Sequence, residues 1–554
     1  MTKHSSNHHD IDYGITRRKF IGAAAGGSAA LLTGGLASLL KPTVSAAGFD
    51  FVEATIPQLQ AAMASGMLTS AGLTMGYINR IQSLNPTLHA VIELNSNAAA
   101  IAASLDNERR AGHVRGPLHG IPILVKDNIA TNDNMQTTAG SLAIYGNKVP
   151  GDSVVIQQLR AAGAVILGKS NLGEWANFRS FIPIFPLAVG WSARGGNTIN
   201  AYDLSYTSWG SSSGSGAGAA ANLCSVAVGT ETDGSITGPS AVENIVGLKP
   251  TLGLVSQDGI IPISHQQDTA GPMGRSVTDV AILLGVLQSP VGDYTQFLKR
   301  GALDGAVIGR DTRYFDYSYF GSGIPGDEQT VAFAQNALNV MESLGATVVD
   351  VDTGDVFDYT DDEFTALLFE FKVQIADYLA TLTHTNMRTL ADLIAFDIAH
   401  CPAEMPYYGQ EVFELSESTS GDLTDPTYVA ARTHATSTAQ AGIDAVIASG
   451  VDAIVAPHLT NSTGPAVAGY PNLSIPVGIR SSDRPAGILM YSTALREAQL
   501  IGFGYDLEQE LNARAQPQFL GSIIPLPDAG ICQALPKKPH VFKGKAHLPH
   551  GKIF

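Results

Sequence analysis

An α/β fold on one large, mostly buried mixed sheet, with helices over both faces, is the prediction for this chain, and three observations make it. Short apolar runs recur along the sequence, each beside a segment of helical periodicity. Of 554 residues, 45% are apolar and only 15% charged, with 20 Phe and 17 Tyr, which supplies a large core and excludes disorder of the whole chain. Cys224, Cys401 and Cys532 stand far apart with no metal-ligand spacing, so neither disulfide staples nor a structural zinc are expected to hold the fold.

Thr55-Ile56-Pro57-Gln58 is a capping box with Pro near the first helical position, and Gly66 follows as a stop, so a helix opens the domain. An Ala-rich stretch over 96–111 reads as a second helix. Gly120-Ile121-Pro122-Ile123-Leu124-Val125 is then a buried strand with Lys126 at its C-terminal end. Val155, Ile156 and Leu159 give 152–162 helical spacing, Gly163 stops that helix, and 164–167 is the next buried strand, completing a β-α-β unit. Further buried strands are read at 224–228, 306–308, 347–351, 453–455, 473–477 and 487–491, with helices at 329–344 and 437–449. Residues 355–435 lack strand signals and read as a mainly helical insertion. The domain is expected to span 47–530, and 531–554, with five lysines and no acid, to form a loosely held basic tail.

The formal charge is −17, from 50 acidic and 33 basic residues, the wrong sign for a partner made of phosphate backbone, so nucleic acid is not expected to bind. Thr16-Arg17-Arg18-Lys19-Phe20-Ile21, an uncharged Ala/Gly/Leu-rich stretch from Phe20 to Leu40 and the ending Val44-Ser45-Ala46 read as a twin-arginine signal peptide over 1–46. Cleavage after Ala46 would leave no membrane span and deliver the protein to the periplasm or the exterior. The alternative is an uncleaved anchor, although the glycines and alanines make a weak span.

Gly210-Ser211-Ser212-Ser213-Gly214-Ser215-Gly216-Ala217-Gly218 has the composition of a flexible linker. Its position argues instead for a turn at a helix N-terminus, because it runs straight into an Ala-rich helix and the 224–228 strand. The next strand end, Gly229-Thr230-Glu231-Thr232-Asp233-Gly234-Ser235-Ile236, has the small residues that let successive N–H groups face one point, as an oxyanion requires. No histidine fits a Ser-His-Asp order, so another base is needed. Lys126, at the end of an apolar strand, is a lysine whose burial would lower its pKa toward neutrality.

Taken singly, such residues are turn formers and solvated lysines; together they resemble a family. The segment 210–222, then 229–236, then Gly247-Leu248-Lys249-Pro250-Thr251-Leu252-Gly253, is similar to the amidase signature family of Ser-Ser-Lys serine hydrolases. Val125-Lys126-Asp127-Asn128, Gly168-Lys169-Ser170-Asn171-Leu172-Gly173-Glu174, Asp268-Thr269-Ala270-Gly271-Pro272-Met273 and Gly469-Tyr470-Pro471-Asn472-Leu473-Ser474-Ile475-Pro476 extend the likeness over roughly 50–510. The resemblance implies the amidase signature fold. It makes Ser235 the nucleophile, Ser211 the bridging serine after a cis Gly210–Ser211 peptide, and Lys126 the base. The N–H groups of Thr232, Asp233, Gly234 and Ser235 would form the oxyanion hole, with Ser212 in the hydrogen-bond network. The interval between Ser211 and Ser235 agrees with the family's and selects Ser211 over its neighbours.

The implied reaction is hydrolysis of carboxylic amides to acid and ammonia or amine, through an acyl-enzyme on Ser235, with no metal or organic cofactor. Thr237 and Gly238 stand where many members carry an arginine, so an anionic substrate group lacks that partner. The wording around Glu231 to Ser235 and Trp191 to Gly196 looks more like the peptide amidase branch, which makes C-terminal peptide amides the expected substrates. Phe181 to Val189 and Pro406-Tyr407-Tyr408-Gly409-Gln410 are expected as apolar and aromatic surface, the former packed on the core or walling a cleft. An esterase, an amidotransferase-like subunit or a non-catalytic binding protein on the same scaffold are the alternatives.

Overall fold

The computed structural model describes residues 48–181, 187–316 and 328–534. The signal-peptide reading over 1–46, the centre of the 181–189 insertion and most of the basic tail therefore lie outside the described residues.

The main sheet takes β1 (Val91–Leu94), β2 (Pro122–Lys126) and β3 (Val165–Ser170) from the N-terminal part. A separate two-stranded hairpin, β4 (Trp191–Ser192) and β5 (Gly196–Asn197), follows. The sheet continues with β6 (Val226–Glu231), β7 (Val246–Lys249), β8 (Thr269–Gly274), β9 (Val307–Asp311), β10 (Thr347–Val351), β11 (Ala453–Pro457), β12 (Asn472–Ile479) and β13 (Pro485–Tyr491). Eleven strands lie in the order β1-β3-β2-β6-β8-β7-β12-β13-β11-β9-β10. Pairing is parallel for β3, β2 and β6 and for β11, β9 and β10, and antiparallel through the middle of the sheet. The α/β mixed-sheet prediction stands.

Strands β2, β3, β6, β7, β8, β11 and β13 are buried along their whole length, which is why most read as unbroken apolar runs. Two of them escaped the sequence reading: β7 ends on a lysine, and β8 is Thr-Ala-Gly-Pro-Met-Gly, too rich in glycine and proline to look like a strand. The opening helix, Ile56–Ala64, carries the capping box as read, with Gln58 N donating to Thr55 Oγ1 and Thr55 N to Gln58 Oε1. The Gly/Ser segment becomes the helix Ser213–Ala220, buried at every residue. A Cβ at Gly214 would stand 2.3 Å from Ala90 O and 2.4 Å from Asn171 N, so only glycine lets this helix lie against the β3 turn.

Between β10 and β11 run the helices Thr360–Thr381, Leu390–Ala399, Glu411–Ser418 and Pro426–Ala448. The last was expected only from 437. It starts eleven residues earlier because Asp425 caps it, accepting from Thr427 N at 2.9 Å with Pro426 in the first turn, a signal masked by a Thr/Ala/His-rich stretch without apolar periodicity. Leu367, Phe371, Ile375, Leu393 and Phe413 of these helices pack with Trp175 and Phe178 into one core cluster. Among the described residues no helix is long and apolar enough to cross a membrane.

The expectation that no disulfide staples the fold is wrong: Cys401 and Cys532 are bonded, with Cα atoms 5.7 Å apart and 131 residues between them in sequence. What brings them together is an extended C-terminal strap. Leu520 N donates to Tyr202 O, Leu204 N to Leu520 O, and Ala529 N to Pro406 O at 2.9 Å, while Leu526 packs on Trp191 and Tyr408. None of these contacts has a local sequence signal, and 531–534 are tied down rather than loose. Cys224 is a free, buried thiol that burial pushes up to about 12.

Because Leu520 is already held by the 202–204 segment, what the disulfide fixes in the folded state is the end of the strap. Reduction, or the double substitution Cys401→Ser/Cys532→Ser, is expected to open 521–534 to limited proteolysis and to lower Tm, because the bond also constrains the unfolded chain across 131 residues. A strap still resistant to protease after reduction would show that its packing holds it without the bond.

Candidate active site

Strands β2 and β6 lie side by side in parallel, with Val125 opposite Val228. Their C-terminal ends put Lys126 next to Thr230 inside the protein, and Lys126 is fully buried. Its Nζ lies 2.7 Å from Ser211 Oγ, 3.0 Å from Thr230 O and 2.9 Å from Thr230 Oγ1. Asn128 Nδ2 donates to the same Thr230 hydroxyl at 3.0 Å. Burial lowers the amine to about 7, against the opposing pull of the Asp268 and Glu231 carboxylates. The adjacent Asp127 is turned elsewhere, accepting from Thr138 Oγ1 at 2.6 Å and pairing with Arg194 at 3.0 Å.

Ser211 follows a cis Gly210–Ser211 peptide bond, as the family resemblance implies, and its carbonyl accepts from Gly173 N at 3.0 Å. Ser212 ties the Ser211 loop to β6 and to the turn that follows it. Its N–H donates to Ser235 O at 3.1 Å, and its hydroxyl donates to Thr230 O at 3.0 Å and accepts from Thr230 N at 3.2 Å. The structure thus brings Lys126, Ser211, Ser212 and Ser235 into one connected cluster around Thr230.

Ser235 sits on the turn from β6 into the helix Thr237–Val242, with 8% of its surface exposed. Four side chains the sequence reading did not single out shape this turn. Glu231 Oε2 accepts from Ile236 N at 2.7 Å and Thr237 N at 2.8 Å, clamping the turn from its own strand. Thr463 Oγ1 donates to Asp233 Oδ2 at 2.7 Å. Asp268 Oδ1 accepts from Thr232 Oγ1 at 2.5 Å, and Gln267 Nε2 donates to Thr232 O at 3.1 Å and to Glu363 Oε1 at 2.5 Å. Burial pushes Asp233 and Glu363 upward, with repulsion from Glu231 adding to the rise at Asp233 and repulsion from Asp233 to that at Glu363. The N–H groups of Asp233, Gly234 and Ser235 meet no protein acceptor among the described residues, which leaves them free to receive a developing oxyanion.

At the position of the missing arginine, Thr237 Oγ1 lies 3.2 Å from Glu231 Oε2, and Gly238 lies under the Trp209 indole. Of the expected aromatic surface, Tyr408 is interior rather than cleft-lining. It stacks on the Arg179 guanidinium at 4.6 Å and donates to Trp191 O at 3.0 Å. Arg179 is itself buried, hydrogen-bonded to Glu174 and 3.7 Å from Glu404, which fastens the core to the helical insertion. Phe181 is partly exposed and packs on Phe364, with ring centroids 5.5 Å apart.

A family model described as Amidase matches residues 72–501. A protein of Arabidopsis thaliana described as an amidase is 38% identical over 491 residues, 85% of this chain and 93% of its own length. The native peptide amidase of Stenotrophomonas maltophilia superposes with a TM-score of 0.78 and 44% identity, over 85% of this chain and 99% of that one. A structure of the peptide amidase PAM with the competitive inhibitor chymostatin gives a TM-score of 0.79 and 44% identity, over 85% of this chain and all of that one. The chain belongs to the amidase signature family and is an amidase.

An amine accepts a proton only when neutral, so a base at Lys126 is available above its pKa and lost as pH falls through it. Activity is therefore expected to drop on acidification through about pH 7. Lys126→Ala is expected to cost about 10²–10⁴-fold in kcat/KM. A wild-type profile flat from about pH 5 to 9 would remove Lys126 from this role.

Proposed function

We propose that the protein is an exported amidase that hydrolyses neutral primary amides, C-terminal peptide amides foremost, to the acid and ammonia. The observation that carries the chemistry is a buried lysine amine, lowered to about 7, 2.7 Å from Ser211 Oγ and linked through Ser212 and Thr230 to the Ser235 turn. Neutral Lys126 takes the proton of Ser211 as Ser211 takes that of Ser235, so Ser235 Oγ becomes nucleophilic only as it forms its bond to the amide carbon. The carbonyl π electrons move to oxygen, where the N–H groups of the 232–235 turn receive the charge. Collapse of the intermediate breaks the C–N bond, and the leaving nitrogen takes the proton back through Ser211. Water, deprotonated along the same chain, then splits the acyl-enzyme and restores Ser235.

Three observations support the substrate class. Gly238 and Thr237 offer no cation for an anionic group. The structural likeness to peptide amidase is high, and a relative of that name is held by chymostatin. Phe181 and Phe364 add apolar surface at the insertion. Burying acyl area there, at about 25 cal/mol per Å², would raise kcat/KM with acyl size. Export is supported by the arginine pair and by the Cys401–Cys532 bond, which belongs to an oxidising compartment. It argues against a transamidation role, whose substrate stays in the cytoplasm.

Ser235→Ala is expected to abolish turnover and fluorophosphonate labelling while leaving the fold intact, since it deletes one hydroxyl and little packing. Among malonamate, acetamide, a long-chain fatty amide and an N-protected dipeptide amide at equal concentration, the dipeptide amide is expected to give the highest rate of ammonia release. Malonamate or acetamide as the best substrate would refute the reading of the cleft, and the fatty amide as the best would redirect it to lipid amides. Replacing Arg17 and Arg18 with lysine keeps the charge and removes the paired guanidinium groups, so precursor is expected to accumulate inside the cell. Processed protein still reaching the periplasm or exterior from that variant would rule out the twin-arginine route.

A further inference from the structure

Among the described residues no carboxylate touches the Lys126 amine, so the charges nearest to it decide how firmly it keeps its proton. Two carboxylates act on it, Asp268 and Glu231. Glu231 is committed to the turn it clamps, accepting from Ile236 N, Thr237 N and the Thr237 hydroxyl. Asp268 is placed differently. The antiparallel register of β6 and β8 sets Thr230 opposite Ala270 and Glu231 opposite Thr269, which carries Asp268 to the side of Thr232 at the start of the Ser235 turn. Its Oδ1 takes the Thr232 hydroxyl at 2.5 Å, and its Oδ2 takes the N–H groups of Ile263 at 2.7 Å and Ser264 at 3.0 Å. Three donors and no acceptor are what a carboxylate, rather than a carboxylic acid, holds.

Asp268 also borders a small cavity, walled largely by the apolar Ile260 to Ile263 stretch, whose polar lining includes Asn128, Thr230, Thr232 and His265. Asn128 Oδ1 is buried there without a hydrogen-bond partner, and Thr230 supplies two of the three acceptors around Lys126 Nζ. One carboxylate therefore borders both the turn that carries Ser235 and a cavity lined by Thr230, which bonds Lys126, and by Asn128, which bonds Thr230.

We propose that Asp268 is a positioning residue of the amidase reaction: it fixes the oxyanion turn through Thr232 and, by its negative charge beside Lys126, sets the pH range in which that lysine can accept a proton. The inference rests on the reading of Lys126 and Ser235 given above. The titratable and charged groups around Asp268 include Lys126 on β2, Glu231 on β6, Asp233 on the Ser235 turn, His265 on its own loop, and Glu363, Glu370 and Arg432 of the helical insertion, which bond Gln267 or Ser264 of that loop. Burial lifts Asp268 to about 6, offset by its three donors and by His265, so it is mostly ionised at about pH 7, the midpoint for Lys126. An ionised Asp268 favours the ammonium form; removing the charge makes Lys126 give up its proton at lower pH.

The test follows the rate at which a fluorophosphonate labels Ser235 between about pH 5 and 9 in the full chain, so no substrate need be known. Asp268→Asn is expected to move the rising limb down by about one pH unit and to lower the plateau, because the turn loses its anchor. Thr232→Val keeps the charge and breaks the hydrogen bond, and is expected to lower the plateau with the limb in place. A limb unmoved in Asp268→Asn, or moved equally by Thr232→Val, overturns the proposal. Should Asp268→Asn fail to fold, Asp268→Glu decides, since it keeps the charge on a longer arm. A limb in place with a lowered plateau supports the proposal, and a shifted limb or a full plateau overturns it. A wild-type protein that never labels refutes the amidase reading itself, which separates the two failures.

Discussion

A lysine amine taken wholly out of water is the constraint around which this site is built. An ammonium in a dry interior is strongly disfavoured unless its protons are received and its charge is met, and here acceptors are supplied while a contacting carboxylate is withheld. Two more buried lysines show the alternative. Lys169 donates to Ile129 O and Thr137 Oγ1, and Lys249 to Tyr470 O and Pro250 O, each lowered to about 8. Both tie loops to strand ends and touch no serine. Lys126 differs in that one of its three partners is the hydroxyl of Ser211, next to the residue that bonds the Ser235 turn, whereas Lys169 reaches only a carbonyl and the Thr137 hydroxyl and Lys249 only carbonyls.

The turn that carries Ser235 is held from several distant parts of the chain. Glu231 comes from its own strand, Gln267 and Asp268 from the loop before β8, Thr463 from the helix Thr463–Ala468, and Glu363 from the helix Thr360–Thr381. Arg432 of the helix Pro426–Ala448 joins the same network, donating to Gln267 Oε1 at 3.0 Å and pairing with Glu370 at 2.8 Å. The helical insertion is therefore part of what positions the Ser235 turn, not an appendage to the sheet. Buried polar networks of this kind are strong only when their members are satisfied, which gives each distant element a stake in the geometry at Ser235.

The sheet was legible in the sequence because a strand covered on both faces must be apolar throughout, and 122–125, 165–167, 453–456 and 487–490 are. It was illegible where pairing rather than side chains makes the strand, as in Gly- and Pro-rich β8. Lys126, Ser211 and Ser235 could be found because motif and spacing carry them. Glu231 and Asp268 lay inside quoted motifs, yet what each holds depends on tertiary contacts, and Gln267, Thr463 and Glu363 have no local signal at all. The Cys401–Cys532 bond was missed for the same reason: two cysteines 131 residues apart say nothing of proximity until the strap from 513 to 534 is laid along 202–204 and 406.

The substrate reading has a firmer physical base than the absence of an arginine alone. A Cβ at position 238 would stand 2.3 Å from Trp209 Cδ1 and 2.4 Å from its Nε1, so the indole already fills the space in which any side chain would begin. Trp209 has little freedom to withdraw. It packs with Val242 and Leu459, its backbone is left-handed at φ 54°, and it directly precedes the Gly210–Ser211 peptide on which the bridging serine depends. Restoring a cation at 238 would thus displace the residue next to the Ser211 loop and disturb the hydroxyl that meets Lys126. Absence of an anion partner and placement of Ser211 are one packing arrangement, which ties the proposed preference for neutral amides to the geometry proposed for catalysis.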